Sequence, residues 1–229
     1  MATTAVSVAI PRYLEDTYWW AYVHPRAVRF FERQWLVNLI LWGNFGRLRD
    51  AALEELGGSL PGLTLQVACV YGDLTSRLCA CMAEGAKLDV VDVLEVQLRN
   101  LRRKLPGTAP VSLHQRDSAA LGFEDAKYDR ALLFFLLHEQ PESVRRRTLA
   151  EALRVVKPGG KVVIVDYHRP RWWNPYAHLS RPLLKRLEPF ALDLWRHEIA
   201  EWLPASAHQA EIRKCTYFGG LYQKLVITR

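Results

Sequence analysis

From about residue 63 onward, short apolar runs alternate with segments of helical spacing. Leu63 to Val70 predicts a first strand, apolar and β-branched enough to be covered on both faces. Asp73 to Glu84 predicts a helix through Leu74, Leu78 and Met82, capped by Asp73 or Thr75. Lys87 to Asp92, Val111 to Gln115, Tyr128 to Leu136 and Lys161 to Val165 predict four further strands. Between them, Leu94 to Leu105 and Pro141 to Val156 predict helices; Pro106-Gly107 stops the first, and Lys157-Pro158-Gly159-Gly160 follows the second. Strands alternating with helices imply a mainly parallel, doubly wound α/β sheet of Rossmann-like type, with ligands outside the carboxyl ends of its strands.

The flanks read differently. Val28, Phe31, Trp35, Leu39 and Trp42 recur near helical spacing, so this segment is amphipathic or buried. A short helix around Leu48 to Leu56 ends at Gly57-Gly58. Pro11 to Pro25 is dense in aromatics (Tyr13, Tyr18, Trp19, Trp20, Tyr22) and suits either a packed helix or a lid over an apolar ligand. The expected division is a helical cap over 1–62 and an α/β domain over 63–229, with a helical insert at about 169–204. Ile212 to Phe218 and Leu221 to Thr228, joined by Gly219-Gly220, predict a closing β-hairpin.

The chain has 229 residues, half of them apolar, and a formal charge of +7. It can bury a substantial core, and long disorder is not expected. The positive balance suits an anionic membrane surface. No RNA-binding motif accompanies the scattered cations, so no nucleic-acid partner is expected. Cys69, Cys79, Cys81 and Cys215 lack zinc-type spacing and read as reduced packing residues in a cytosolic setting. No apolar run is long enough to span a bilayer.

The chemistry centres on Leu65-Gln66-Val67-Ala68-Cys69-Val70-Tyr71-Gly72-Asp73, a strand breaking into a turn and a helix. A nucleotide sits at such a turn, against the helix N-terminus. The usual signal is a glycine run, but Ala68 and Val70 occupy two of the glycine positions and only Gly72 remains. Asp92 ends the second strand in Val90-Val91-Asp92-Val93, and Arg116-Asp117-Ser118 follows the third. With Leu121-Gly122-Phe123, Leu137-His138-Glu139 and Arg154-Val155-Val156-Lys157-Pro158-Gly159-Gly160, these motifs resemble the class I S-adenosylmethionine (SAM)-dependent methyltransferase fold. The resemblance implies that Asp92 binds the ribose hydroxyls and that the Asp117-Ser118 loop binds adenine. Val70, Tyr71, Gly72 and Val93 complete the expected cofactor site.

A narrower resemblance rests on Thr17-Tyr18-Trp19-Trp20-Ala21-Tyr22, Val67-Ala68-Cys69-Val70-Tyr71-Gly72 and Asp166-Tyr167-His168-Arg169-Pro170. These are similar to the rhodoquinone-biosynthesis methyltransferase-like family. That resemblance implies replacement of a ubiquinone ring methoxy group by an amino group, with SAM as amino donor and manganese(II) required. Two further readings stand beside it: a quinone or phenol methyltransferase, and a noncatalytic SAM- or quinone-binding accessory protein.

Gln66 stands at an acidic position of ordinary members, and losing a carboxylate favours a neutral, nucleophilic amine. Tyr71 is then expected to bond to that amine or to the quinone carbonyl. Manganese prefers carboxylate and imidazole ligands. Asp166, His168 and His138 are the expected set, with Glu139 beside them; Asp166 and His168, two apart in an extended segment, would share a side. His138 serves alternatively as general base. A bilayer quinone requires peripheral contact with the membrane, expected on the cytoplasmic side of the inner membrane or its equivalent. The Trp172 to Trp202 insert, aromatic and basic, suits that contact or a packed lid.

Overall fold

A computed structural model describes residues 9–18, 30–207 and 209–229. Trp19, Trp20, Ala21, Tyr22, Pro25 and Val28, named above, lie outside the described residues. Among the described residues, three helices precede the sheet: α1 (Arg12–Tyr18), α2 (Gln34–Ile40) and α3 (Phe45–Leu56). The strands are β1 (Leu63–Val67), β2 (Lys87–Asp92), β3 (Val111–Gln115), β4 (Tyr128–Phe134), β5 (Val156–Tyr167), β6 (Glu211–Tyr217) and β7 (Tyr222–Thr228). Between them run α4 (Leu74–Ala80), α5 (Glu95–Lys104), α6 (Glu142–Val155), α7 (Tyr176–Leu187) and the short α8 (Asp193–Arg196).

The strands form one seven-stranded sheet in the order β3-β2-β1-β4-β5-β7-β6. β1 to β5 are parallel, and β7 inserts antiparallel between β5 and β6. This is the expected doubly wound α/β architecture with its closing hairpin. Helices cover both faces of β1, β4 and β5, so Leu65, Val67, Leu132, Leu133, Val163 and Ile164 are all buried. That explains their continuous apolar runs. β6 is the outer edge and is exposed from Glu211 to Thr216; Arg213 and Lys214 there discourage pairing with another chain. Strand order reverses between β1 and β4, and a crevice opens beyond their carboxyl ends.

Several boundaries differ from the sequence expectation, and backbone turns or tertiary contacts set three of them. β1 stops at Val67 because Ala68 turns the chain at φ +73°. α4 ends at Ala80 because the next residues pair with the segment before β1: Leu60 N donates to Cys81 O at 2.8 Å and Ala83 N to Leu60 O at 3.1 Å. β5 starts at Val156, five residues before Lys161, because Gly160 O accepts from Arg229 N at 3.0 Å and holds that stretch beside the end of β7.

The region after β5 contains α7 and α8 and is latched to the body by Arg145. Its fully buried guanidinium donates to Leu137 O, Gln140 O and Phe190 O and lies 4.2 Å from the Trp202 ring. Cys69, Cys79, Cys81 and Cys215 form no disulfide.

Candidate active site

The turn after β1 has a backbone made for glycine. Ala68, at φ +73°, holds the left-handed conformation at one of the absent glycines, and Phe135, after β4, does so at φ +52°. Such residues cost about 1–2 kcal/mol each and concentrate at functional sites. Ala68→Gly should therefore stabilise the protein by about 0.5–1 kcal/mol, after the extra chain entropy of glycine, and raise Tm by about 2–3 °C. An unchanged or lower melting temperature would mean that Ala68 packing outweighs the strain.

Two cavities meet at this turn. The first is lined by Ala68, Cys69, Asp92, Val93, Arg116, Asp117, Ser118 and Gln140, with Tyr13 and Leu14 of α1 along one side. Asp92 braces it: one carboxylate oxygen accepts from Cys69 N and the other from Leu94 N, each at 2.8 Å. Burial raises the Asp92 pKa to about 6 against the lowering effect of these bonds. Each oxygen keeps a second lone pair for a hydroxyl donor. Asp117 Oδ1 accepts from Ala119 N at 2.8 Å, and Ser118 Oγ sits 3.0 Å from Thr148 Oγ1 and 2.9 Å from Gln140 Nε2. The four residues expected from β2 and the Asp117 loop thus share one cleft.

Val70, Tyr71 and Gly72 do not join them. Val70 and Tyr71 line the second cavity, and Gly72 lines neither. Gly72 N donates to Glu32 Oε1 at 3.1 Å, while Lys104 Nζ donates to Gly72 O at 2.9 Å and pairs with Glu32 at 2.6 Å. A Cβ on Gly72 would come within 2.7 Å of Gln34 Oε1 and 3.0 Å of Phe45, so the glycine serves packing. Gln66 accepts from Thr75 Oγ1 and donates to Ala68 O, both at 3.0 Å. A carboxylate at position 66 could not make the second bond. Tyr71 Oη accepts from Gln97 Nε2 at 2.8 Å, and its ring stacks on Phe31 at 6.3 Å.

The second cavity holds about 390 Å³ and is largely apolar. α2 supplies Leu36, Val37 and Ile40; α7 supplies Leu183, Leu184 and Leu187; Phe134, Phe135 and Tyr167 lie at the strand ends. Its polar residues include His138, Glu139 and Glu188, and Cys69, Phe135 and Glu139 line both cavities.

His138 is fixed by Asp166. Asp166 is fully buried; Oδ2 accepts from Leu137 N (2.8 Å) and His138 N (3.3 Å), and Oδ1 faces His138 Nδ1 (3.0 Å) and accepts from Tyr167 N (2.8 Å). His138 Nε2 then lies 3.8 Å from both Glu139 Oε1 and Glu188 Oε2. Burial alone would lower the His138 pKa, but the charge of Asp166, the bond to it, and Glu188 and Glu139 raise it to about 9. The ring is therefore cationic near neutral pH and placed to donate, whereas the sequence suggested a base.

The expected manganese set does not assemble. Asp166 is saturated by the contacts just described. His168 lies beyond the end of β5, its Nδ1 2.8 Å from Gly220 O and its Nε2 3.6 Å from Glu198. Among the described residues no three His, Cys, Asp or Glu side chains converge closely enough to hold a metal ion. His114 on β3 bonds to Asp89 at 3.1 Å and lines neither cavity. Gln97, Glu32, Lys104 and Glu188 are site residues without a motif of their own. They come from distant segments, and only the fold brings them to the turn.

Residues 64–160 match the model of a methyltransferase domain. A ubiquinone/menaquinone biosynthesis C-methyltransferase (UbiE) of Ectopseudomonas mendocina is 27% identical over 200 residues, spanning 80% of this chain and 77% of that protein. A SAM-dependent methyltransferase of Aquifex aeolicus superposes with TM-score 0.58 over 89% of this chain and 97% of its own, at 17% identity. The [4+2]-cyclase SpnF shares the fold at TM-score 0.51 and 17% identity, over 80% of each chain. The sheet order, the cleft at the strand switch and the match over residues 64–160 together define the fold as that of the class I SAM-dependent methyltransferases. Its relatives include quinone C-methyltransferases such as the Ectopseudomonas enzyme.

Proposed function

We propose that this protein is an enzyme that uses SAM to modify the ring of a prenylated quinone. The observation that carries the reading is the large apolar cavity sharing a wall with the cofactor cleft at the altered turn. Its volume and lining suit a quinone ring with part of its tail. Asp92 holds the ribose and the Asp117-Ser118 loop the adenine, while the methionine end of SAM passes Ala68 and reaches the shared wall at Cys69.

Two reactions fit this site. The names of the relatives support carbon methylation. The altered turn supports replacement of a ubiquinone methoxy group by the SAM amino group. In that reaction the neutral amine adds to the ring carbon, and the methoxy group leaves as methanol. The N–Cα bond then breaks as the ring takes two electrons to the quinol and water hydrolyses the resulting imine, releasing the aminoquinol and the α-keto acid of SAM. Methyl transfer gives no reason for Ala68 in a glycine conformation, for Val70 and Tyr71 facing the quinone cavity, or for a neutral Gln66 spent within the turn. Those features suit re-aiming the amine and leaving it uncharged, so we adopt amination as the reaction to test first. His138 Nε2, cationic and lining the same cavity, donates to a quinone oxygen and makes the ring carbon more electrophilic. No step is assigned to manganese, because the described residues do not supply its donor set.

The test is mass spectrometry of the quinone after incubation with short-chain ubiquinone and SAM labelled with nitrogen-15 on its amino group. A labelled aminoquinone supports amination; a methylated quinone establishes the methylation reading instead. No quinone product, with SAM bound, would leave the accessory-protein reading standing. Tyr71→Phe is expected to lower turnover by about 10–100-fold while SAM affinity changes less than about threefold. Full turnover in that variant would remove the polar role of Tyr71.

A further inference from the structure

The second cavity opens between α2 and α7, and its mouth is apolar on the outside as well as within. Ile40 and Leu183 line the cavity yet are 45% and 48% exposed, so they form its rim. Beside Ile40 on α2, Trp35 and Leu39 are 58% and 62% exposed and, four residues apart, share one face. On α7, Tyr176, Leu179 and Leu183 form a similar stripe, and Trp172 just before the helix is 90% exposed. Trp42, two residues past α2, lies 5.0 Å from the Tyr176 ring, so the two stripes adjoin. A soluble monomer rarely leaves such a continuous patch open.

Charge selects what covers it. No Asp or Glu occurs between Asp166 and Glu188, a stretch holding Arg169, Arg171, Arg181, Lys185 and Arg186. None occurs between Glu32 and Asp50, the stretch that contains α2. Arg171, Arg181, Lys185 and Arg186 are exposed. Aromatic and aliphatic tips set among cations, with no acid between them, match the interface of an anionic bilayer. No helix among the described residues is long and apolar enough to cross a membrane, so the contact is with one leaflet.

We propose that the α2–α7 rim docks on an anionic lipid bilayer, with Trp35, Leu39, Trp172 and Leu179 entering the interface and the cavity mouth turned toward the acyl chains. The docking surface stands on exposure and charge, while the purpose of the opening rests on the quinone reading above. A prenyl tail then passes from bilayer to cavity without crossing water.

The test is co-sedimentation of the full chain with phosphatidylcholine vesicles, with and without phosphatidylglycerol. The wild type should partition onto the anionic vesicles, less so at high salt. The Arg181→Gln/Lys185→Gln variant and, separately, Trp172→Ser should each lower that partition about tenfold, with SAM affinity held within about twofold as the check on folding. These side chains do not line the cavity, so turnover of a short-tailed, water-soluble quinone should be unchanged. A wild type that stays in the supernatant, or variants that sediment like it, would overturn the proposal. So would a stable dimer in light scattering that buries the patch and ignores vesicles. Vesicle binding without turnover of soluble quinone would sink the quinone reading and leave the docking surface intact; turnover without vesicle binding would do the reverse.

Discussion

Asp166→Ala should destabilise the protein by about 3–5 kcal/mol, lowering Tm by roughly 10 °C or more, and should abolish turnover. The reason is the number of groups that one buried carboxylate serves. Its removal strands the amides of Leu137, His138 and Tyr167 together with the His138 ring, in a site that water does not reach. A stranded buried donor costs about 1–3 kcal/mol, and local relaxation recovers part of the sum. The imidazolium also loses its counter-charge. His138 has a folded pKa raised to about 9, against an unfolded value near 6.5. Its contribution to stability is therefore fully present below about 6.5 and is lost as pH rises through about 9. Asp166→Asn keeps the shape and removes the charge. It should melt between the other two proteins and lose most of this alkaline dependence. Thermal unfolding followed by circular dichroism from pH 6 to 9.5 measures both effects. An alanine variant melting within about 2 °C of wild type would refute the anchoring role.

Asp92→Ala should weaken SAM binding by about a hundredfold or more, since two charge-assisted bonds are lost at the ribose and the brace on Cys69 and Leu94 goes with them. Stability should suffer less than binding, because burial already penalises this carboxylate. The same burial predicts a pH dependence. In the free protein Asp92 titrates at about 6. Hydroxyl donors from the ribose favour the anion and lower that value in the complex. Below about pH 6 binding must therefore expel a proton, and affinity falls by up to about tenfold per pH unit; above it the affinity is flat. Titration calorimetry at pH 5 and 7.5, in two buffers of different ionisation enthalpy, reads the affinity and the released proton together. Equal affinity at both values would mean that Asp92 does not meet the ribose.

The fold was legible because the central strands β1, β4 and β5 are covered on both faces and are therefore largely apolar. Element ends were less legible because tertiary contacts set them. β1 ends where Ala68 takes a glycine conformation that its identity conceals, and β5 begins early because Gly160 finds Arg229. In the site, Asp92, Val93, Asp117 and Ser118 were readable because the ends of adjacent parallel strands converge by topology alone. Pairing Asp166 with His168 assumed that the extended backbone continues past them, but β5 ends at Tyr167 and His168 turns to Gly220. Glu188 could not be read at all: nothing near it in sequence reports that the insert folds back to place it beside His138.

The turn after β1 has one further consequence. Ala68 lines the first cleft, whereas Val70 and Tyr71 line the neighbouring cavity, and Asp92, Asp117 and Ser118 sit at the ends of other strands. On the proposed reading the molecule has a handle and a working end, built from separate parts of the chain. A few substitutions at the working end would then change which SAM atom is presented to the partner, while the grip on the nucleoside is left as it was. Reaction type would be a local property of three side chains rather than of the domain that carries them.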